Sequence, residues 1–312
     1  MGDDRVKVRR LGNSGLKVSV VGLGCNNFGM RIDQAQTQGV VDAAIDAGIT
    51  LFDTADVYGG TQSEVLLGKA LGTRRHDIIL ATKFGASVGQ DPKKRGGSRK
   101  WIMAAVEDSL RRLGTDYIDL YQHHRPDADT PIDETLRALD DLVTQGKVRY
   151  LGNSNYTGWQ IADADWSAAG QTRFVSAQNL YSLLERDVES EVLPACEHFG
   201  LGFLPFFPLA SGLLTGKYKR GVAPPEGTRL AAWGARGEAA MSDANFDKVE
   251  ALEAWAVEHG HTILELAFAW LLGHEAVSSV IAGATSDEQV RTNAAAAGWR
   301  LTLEEVAEVS KL

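Results

Sequence analysis

Cysteine and positive charge are both scarce in this chain of 312 residues. Its two cysteines, Cys25 and Cys196, lie far apart and form no paired-ligand motif, so we expect buried free thiols in a reducing compartment. Lysine and arginine number 32 against 41 acidic residues, a net charge of −9. Because nucleic-acid binding needs a clustered positive surface, this balance argues against such a partner. The one dense basic stretch, residues 93–100, is interpreted as a solvated loop.

Long hydrophobic runs are also missing. The longest apolar stretches, residues 202–210 and 264–272, are far shorter than the roughly 20 residues of a membrane-spanning helix. The first five residues, MGDDR, contain no apolar signal region. We therefore predict no membrane partner, no export and a cytoplasmic location. Disorder is excluded, because hydrophobic residues make up 44% of the chain.

Glycine, with 33 copies, is over-represented, and it punctuates a regular alternation of strand-like and helical segments. Eight β-branched or apolar runs occur, and each of the first seven is followed by apolar residues at helical spacing. The best-marked helix is predicted to use Thr130 as its cap and Pro131 as its first residue. The eight runs cover residues 18–24, 50–55, 78–84, 118–124, 148–155, 175–182, 202–208 and 278–283.

This alternation predicts parallel strands and favours a closed α/β fold, the (β/α)8 TIM barrel, over an open doubly wound sheet. A doubly wound dinucleotide fold should carry G-x-G-x-x-G after its first strand, and Gly22 and Gly24 do not continue into that spacing. Residues 6–9 and 16–18 flank a glycine-containing turn, which predicts an N-terminal β-hairpin across the barrel's bottom. We predict one domain over residues 1–312, with extra C-terminal helices.

The chemistry of such barrels gathers at the carboxyl ends of the strands. The second, third and fourth runs end near Asp53, Lys83 and His124, and Tyr58 follows shortly after Asp53. Adjacent strands would thus bring an acid, an amine, an imidazole and a phenol onto one rim. Because a nearby ammonium favours the ionised phenol, we expect Lys83 to lower the pKa of Tyr58 and make it a usable general acid. Asp53 would hold Lys83 charged and oriented.

A rival chemistry uses the same lysine. A strand-end lysine can form a Schiff base with a carbonyl, which would make the protein an aldolase or dehydratase. Such a lysine must be neutral to attack, and the anion of Asp53 beside Lys83 opposes this. The Schiff-base reaction is therefore the less favoured alternative.

Metal binding is not predicted. The pairs His123–His124 and His259–His261 each lack a third convincing ligand. Since neighbouring residues of a strand point to opposite faces, at least one of His123 and His124 is expected to be a packing residue.

Taken in order, these segments resemble the aldo-keto reductases over essentially the whole chain. The four candidate catalytic residues resemble the family's catalytic tetrad in order and spacing. The sequence GNSNY at residues 152–156 is similar to the nicotinamide-amide segment, with Asn153 where valine is commoner. Residues 208–218 and 283–293 resemble segments of the bacterial and potassium-channel-β-like branch.

The resemblance implies a role for each residue of the site. Tyr58 would donate a proton, and His124 would orient the substrate carbonyl. Phe206 holds the place of an aromatic residue that stacks on the nicotinamide, and Phe207 replaces a frequent serine near the pyrophosphate, which puts one hydrogen bond in doubt. The other implied cofactor-binding residues are Ser154, Asn155 and Gln178 at the carboxamide, the amides of Leu209 and Ser211 at the pyrophosphate, and Gly24, Gly283, Gln289 and Asn293.

The implied function is the reduction of a small aldehyde or ketone to an alcohol, with hydride transfer from nicotinamide C4 and Tyr58 as the acid. NADP(H) is preferred to NAD(H), because Lys217 and Arg229 are available as charge partners of the 2′-phosphate. Two alternatives stay open. The first alternative is a non-metabolic NADPH-binding regulatory subunit, because some relatives of this branch act as cofactor sensors. The second alternative is the Schiff-base lyase.

Overall fold

A computed structural model describes residues 6–312. The described chain begins with an antiparallel hairpin of β1 (Val8–Arg10) and β2 (Lys17–Ser19). Leu11, in the hairpin turn, is fully buried against residues of the barrel strands, and the Asn13 amide donates to the Gly200 carbonyl, just before the strand that begins at Gly202. The members of this cluster are Leu11, Val18, Leu51, Ala81, Leu120, Leu204 and Ile281. The predicted hairpin at the barrel's bottom is confirmed.

Eight further strands form one parallel sheet. They are β3 (Val21–Gly24), β4 (Leu51–Asp53), β5 (Ile79–Phe84), β6 (Ile118–His123), β7 (Val148–Ser154), β8 (Phe174–Gln178), β9 (Gly202–Phe203) and β10 (Val280–Gly283). They follow one another in chain order, except that β10 lies beside β3. Bridges from Phe203 to Val277 and from Phe206 to Ile281 join the two ends of the sheet. The predicted (β/α)8 barrel is confirmed.

Twelve helices surround these strands within residues 6–312. They are α1 (Gln34–Asp46), α2 (Gln62–Leu71), α3 (Arg99–Leu113), α4 (Ile132–Thr144), α5 (Gly158–Ser167), α6 (Val192–Phe199), α7 (Arg229–Ala232), α8 (Ala235–Ala240), α9 (Asp243–Glu258), α10 (Ile263–Leu272), α11 (Asp287–Ala296) and α12 (Leu303–Val309). The helices α7 to α9, between β9 and α10, and the terminal α12 confirm the extra C-terminal helices.

Two further predictions from the sequence concern the cysteines and a membrane span. Cys25 and Cys196 are both buried and unpaired, as expected. No helix among the described residues has the length and apolarity needed to cross a membrane. The cytoplasmic location, the absence of a nucleic-acid partner and the single-domain boundary stay predictions.

The start of α4 differs from the prediction. The helix begins at Ile132, Pro131 lies just before it, and no side chain caps it. The Thr130 hydroxyl instead donates to the Asp127 carboxylate, at 2.7 Å. A carboxylate is a stronger acceptor than a hydroxyl's usual local partners, so Asp127 draws Thr130 away from the helix amides. The assignment of Thr130 as a cap was wrong.

The first predicted run, residues 18–24, is divided between the hairpin and the barrel. The Ser19 hydroxyl accepts from the Thr50 amide at 2.9 Å and donates to the Val21 carbonyl at 2.6 Å. These two side-chain bonds satisfy the carbonyl of the first residue of β3 and the amide of the residue before β4. The chain can therefore leave the hairpin and enter the barrel within two residues.

Candidate active site

The four candidate catalytic residues converge at the carboxyl ends of three adjacent barrel strands. Asp53 is the last residue of β4, Lys83 is the fifth of six in β5, and His124 follows β6 directly. Tyr58 lies in the loop after β4, at the start of a short 3-10 turn before α2. Parallel pairing from β4 to β6 holds these strand ends side by side.

Asp53 and Lys83 form a buried ion pair. The Lys83 ammonium donates to Asp53 Oδ2 at 2.6 Å and to the Thr54 carbonyl at 2.9 Å, and the Lys83 side chain is fully buried. Burial alone would lower the pKa of Lys83, but the charge of Asp53 and the contact with Tyr58 outweigh it, so the pKa is raised. The lysine is thus held as an ammonium, as expected, which opposes nucleophilic attack by its amine.

The Tyr58 phenol lies beside this ammonium. Its oxygen is 3.5 Å from Lys83 Nζ. Burial raises the pKa of Tyr58, Lys83 lowers it, and the net pKa lies above its ordinary value. The lowering by Lys83 is as expected, but the loss of water around the phenol, which the sequence did not predict, is the larger effect. The phenol is fully protonated near neutral pH, which is the state that a proton donor needs.

The two adjacent histidines face opposite ways, as expected: one lies at the site and the other packs in the interior. His124 lies edge-on to the Tyr58 ring, with centroids 5.7 Å apart. Burial, aided by Lys83 and Arg125, lowers the pKa of His124 to about 3, so its imidazole is neutral. His123 faces away and stacks on Phe84, and its Nδ1 lies 2.8 Å from the Tyr156 hydroxyl. His123 is thus the packing residue of the pair.

Gln122 is a member of this network that the sequence reasoning missed. Its Nε2 donates to Asp53 Oδ1 at 3.0 Å, and Gln178 Nε2 donates to the same oxygen at 3.0 Å. The two amides fix the Asp53 carboxylate while Lys83 binds its other oxygen. Gln122 stands two residues before His124, and the period of two along a strand could have placed it on the same face.

We expect Gln122→Leu to lower kcat about tenfold while leaving cofactor affinity nearly unchanged. A hydrogen bond to a charged group contributes roughly 1.5–3 kcal/mol, and losing it lets Asp53 and Lys83 shift away from Tyr58. Steady-state kinetics and thermal unfolding should be measured beside Gln145→Leu, the same change at an exposed position after α4. A kcat equal to that of the control would show that Gln122 does not position the pair.

Above these residues opens a cavity of about 820 Å³. Tyr58, His124 and Asp53 contribute to its wall, whereas Lys83 lies buried beneath them. Every residue of the predicted cofactor-binding set lines it: Gly24, Ser154, Asn155, Gln178, Phe206, Leu209, Ser211, Lys217, Arg229, Gly283, Gln289 and Asn293. The structure thus brings together residues that are up to 269 positions apart in the sequence.

The carboxamide-binding candidates are held by one another. The Ser154 hydroxyl donates to the Gln178 carbonyl at 2.7 Å. Asn155 Nδ2 donates to the His124 carbonyl at 2.9 Å and to Ser154 Oγ at 3.0 Å, with the Asn155 backbone at a φ of 61°. Such a left-handed backbone is uncommon outside glycine, though asparagine tolerates it best. The segment therefore presents fixed polar groups at the cavity wall.

Cations gather in another part of the same cavity. Arg229 is half-buried, and its pKa is lowered first by burial and then by the nearby charge of Arg31. Arg229 donates to Asn27 Oδ1 at 3.1 Å, and its guanidinium lies over the Phe207 ring, 5.0 Å from the centroid. Phe207 thus supports a cation here instead of supplying the serine hydroxyl. Lys217 also lines this cavity and forms no ion pair within residues 6–312.

The backbone between β9 and Lys217 is strained at several positions. Phe207, Ala210 and Ser211 have φ values of 52°, 44° and 59°, and Gly212 has 102°. Residues with positive φ turn successive amides toward one side, which is how backbone forms anion-binding concavities. A Cβ at Gly212 would lie 2.8 Å from Lys217 Nζ, so a side chain there would displace the end of this lysine. Strain of this kind persists where surrounding contacts enforce it, and it clusters at functional sites.

These features fit a dinucleotide with an additional phosphate. The amide and hydroxyl groups at residues 154 and 155 suit a carboxamide, the strained segment suits a pyrophosphate, and unpaired cations suit an anionic group. Aspartate and glutamate are few along this wall, where Asp53 and Glu288 are the only two among residues 6–312. Arg31, Asn27 and Glu288 were not identified from the sequence. Arg31 and Asn27 reach residues about 200 positions away, a pairing that no local pattern signals.

A parallel barrel with a buried ion pair and a polar cavity at the carboxyl ends of its strands has the layout of a barrel enzyme. The family model described as "Aldo/keto reductase family" matches residues 20–312. The chain belongs to the aldo/keto reductase family. This match confirms the resemblance identified from the sequence. Members of the family are oxidoreductases that generally use NADP(H).

Curated relatives cover most of the chain. A probable voltage-gated potassium channel subunit beta of rice (Oryza sativa subsp. japonica) is 39% identical over 298 residues, 92% of this chain and 90% of the relative. The uncharacterized oxidoreductase YrpG of Bacillus subtilis (strain 168) is 38% identical over 296 residues, 90% and 88% of the two chains. The probable aldo-keto reductase 1 of Glycine max is 37% identical over 308 residues, 96% and 87%.

Proposed function

We propose that this chain is an NADP(H)-dependent reductase that converts small aldehydes or ketones to alcohols, with Tyr58 as the general acid. The observation that carries the proposal is the position of the Tyr58 phenol, 3.5 Å from the Lys83 ammonium, in the wall of the cavity that His124 also lines. Family membership supports an oxidoreductase in general. The substrate class and the acid are our inference from the geometry.

Each residue has a distinct task in this proposal. Bound NADPH would supply the hydride that reduces the carbonyl carbon. Tyr58 holds the proton that passes to the carbonyl oxygen, and the Lys83 ammonium stabilises the phenolate that this transfer leaves. Asp53 keeps Lys83 charged, at 2.6 Å. His124 is neutral, so its imidazole orients the carbonyl without adding a charge.

The proposal is tested by steady-state oxidation of NADPH with 4-nitrobenzaldehyde, followed by absorbance and product analysis. Many turnovers per active site, with the benzyl alcohol as product, would support it. Tight NADPH binding without multiple turnovers across a panel of aldehydes and ketones would contradict it.

We expect Arg229→Gln to weaken NADPH binding about tenfold and NADH binding by less than twofold. Arg229 is the half-buried cation of the cavity, and a charge-assisted hydrogen bond to phosphate contributes roughly 1.5–3 kcal/mol. Dissociation constants from fluorescence titration would measure this. The matched control is Arg137→Gln on α4, where Arg137 pairs with Asp133 at the surface. Equal losses for NADPH and NADH would assign Arg229 to another part of the cofactor.

A regulatory subunit is the second candidate. It is favoured by the relatives from rice and Arabidopsis thaliana, both 39% identical and both named as probable potassium channel subunits beta. A sensor would bind NADPH tightly and oxidise it in a single slow turnover. A comparison of single-turnover and steady-state rates on one enzyme preparation separates the two functions.

A further inference from the structure

A second cavity, of about 970 Å³, lies beside the candidate active site. Its walls come from the loop after β5, residues 85–98, from the loop after β6, residues 125–130, and from the first turns of α3. Both loops leave the same end of the barrel as Lys83 and His124. Its position therefore makes it a part of the substrate-binding end of the fold.

This cavity is lined by five basic side chains: Lys93, Lys94, Arg95, Lys100 and Arg125. None of the five forms an ion pair within residues 6–312, although the chain has a net charge of −9. Their neighbour Arg99 pairs with Asp141, and the distant Arg220 pairs with three acidic residues. The basic stretch is exposed, as the sequence indicated, but it also forms the wall of a cavity.

The acidic side chains of this cavity mostly accept hydrogen bonds from backbone amides. Asp127 accepts hydrogen bonds from the Gly97 amide at 2.7 Å and the Asp129 amide at 3.0 Å, besides the Thr130 hydroxyl. Asp91 accepts from the Lys93 amide at 2.9 Å. Asp129 is the third acidic residue of the wall. These carboxylates shape the loops, and the five basic side chains outnumber the three acidic ones, which leaves the wall with a net positive charge.

One residue, Arg125, connects this cavity with the catalytic residues. Arg125 lines both cavities, and its charge helps to keep His124 neutral. The shared wall at Arg125 places the basic cavity next to the catalytic residues.

We propose that the substrate carries an anionic group, a carboxylate or a phosphate, which binds in the basic cavity while its carbonyl lies at Tyr58 and His124. This inference rests on the proposed reductase function and specifies its substrate class. Unpaired cations around a concave site concentrate anionic ligands, and salt screens this attraction over roughly 10 Å at 0.1 M. The specificity should therefore decline as ionic strength rises.

The test compares charged and neutral aldehydes of similar size. One pair is succinic semialdehyde and butanal, and the other is glyceraldehyde 3-phosphate and glyceraldehyde. We expect kcat/KM to favour the charged member of at least one pair about tenfold or more at low salt. Lys93→Gln/Lys94→Gln and Arg125→Gln should each reduce this charged-to-neutral ratio several-fold. Lys311→Gln, an exposed position lining neither cavity, is the control.

The outcomes separate this inference from the function on which it rests. Efficient reduction of the neutral aldehydes, with no charge preference in either pair, would overturn the anionic substrate and leave the reductase standing. No reduction of any carbonyl would overturn the reductase. Calorimetric titration with succinate and with inorganic phosphate then tests the cavity directly, since binding that weakens in Lys93→Gln/Lys94→Gln supports it and no binding refutes it.

Discussion

Replacing Tyr58 by phenylalanine is expected to lower kcat for carbonyl reduction about a thousandfold, within the 10²–10⁴ range that general acid catalysis contributes. The substitution removes one oxygen, the atom 3.5 Å from Lys83 Nζ, and keeps the ring that lies edge-on to His124. Cofactor affinity should change little, because the ring continues to fill the same space. The measurements are steady-state kinetics and a fluorescence titration with NADPH.

The pH profile adds a second readout for this prediction. The pKa of Tyr58 is raised, so the protonated phenol persists beyond its ordinary pKa of about 10. The reduction rate of the unsubstituted enzyme should therefore show no decline from Tyr58 ionisation between pH 6 and 9. His124, with a pKa of about 3, should add no titration in that range either.

The control for Tyr58→Phe is Tyr150→Phe. Tyr150 lies on β7 and packs against the cluster at the other end of the barrel, so it loses the same oxygen away from the site. Turnover of Tyr58→Phe close to that of this control would remove Tyr58 as the acid. Loss of NADPH binding together with turnover would instead point to a collapsed site.

The sequence was sufficient to place the catalytic candidates on one rim, because parallel strands joined by helices all end on the same side of the sheet. Asp53, Lys83 and His124 each end a strand-like run, and runs that alternate with helices must end on the same rim. Gln122 follows from the same strand periodicity, and it was missed only because an amide suggests no chemistry by itself. Its hydrogen bond to the Asp53 carboxylate is what gives Gln122 a positioning role.

Burial and long-range contacts are what the sequence could not supply. The effect of Lys83 on the pKa of Tyr58 could be predicted because the ammonium is visible in the sequence, whereas the larger opposing effect, the loss of water around the phenol, depends on the whole fold. The contact between Arg31 and the Gly227 carbonyl, at 2.6 Å, spans 196 positions and has no local signature. The ring of Phe207 under Arg229 is a similar case.

The second large effect is expected for Lys83→Met, which should lower kcat at least about a hundredfold and reduce the free energy of unfolding by about 3–5 kcal/mol. Lys83 is fully buried and lies 2.6 Å from Asp53 Oδ2, so its removal leaves a buried carboxylate without its counter-charge. Gln122 and Gln178 still donate to the other carboxylate oxygen, which limits the loss to that range. Denaturant unfolding and steady-state kinetics measure the two effects.

The double variant Lys83→Met/Asp53→Asn separates stability from catalysis. Because it replaces the ion pair with a neutral pair, it should recover most of the lost unfolding free energy, while kcat stays as low as in Lys83→Met. Recovery of both the unfolding free energy and kcat would mean that Lys83 contributes to turnover only by stabilising the fold. No loss of stability in Lys83→Met would contradict the buried pair itself.

The same lysine decides between reduction and Schiff-base chemistry. Asp53 and Tyr58 raise the pKa of Lys83 against the effect of burial, so the amine is protonated at neutral pH and cannot attack a carbonyl. Borohydride treatment with a reactive aldehyde should therefore leave Lys83 unmodified in the intact enzyme, as read by mass spectrometry of the peptide. Asp53→Asn removes the anion that opposes burial, and it is the variant in which Lys83 should become more reactive. An adduct at Lys83 in the unsubstituted enzyme would instead favour the lyase over the reductase.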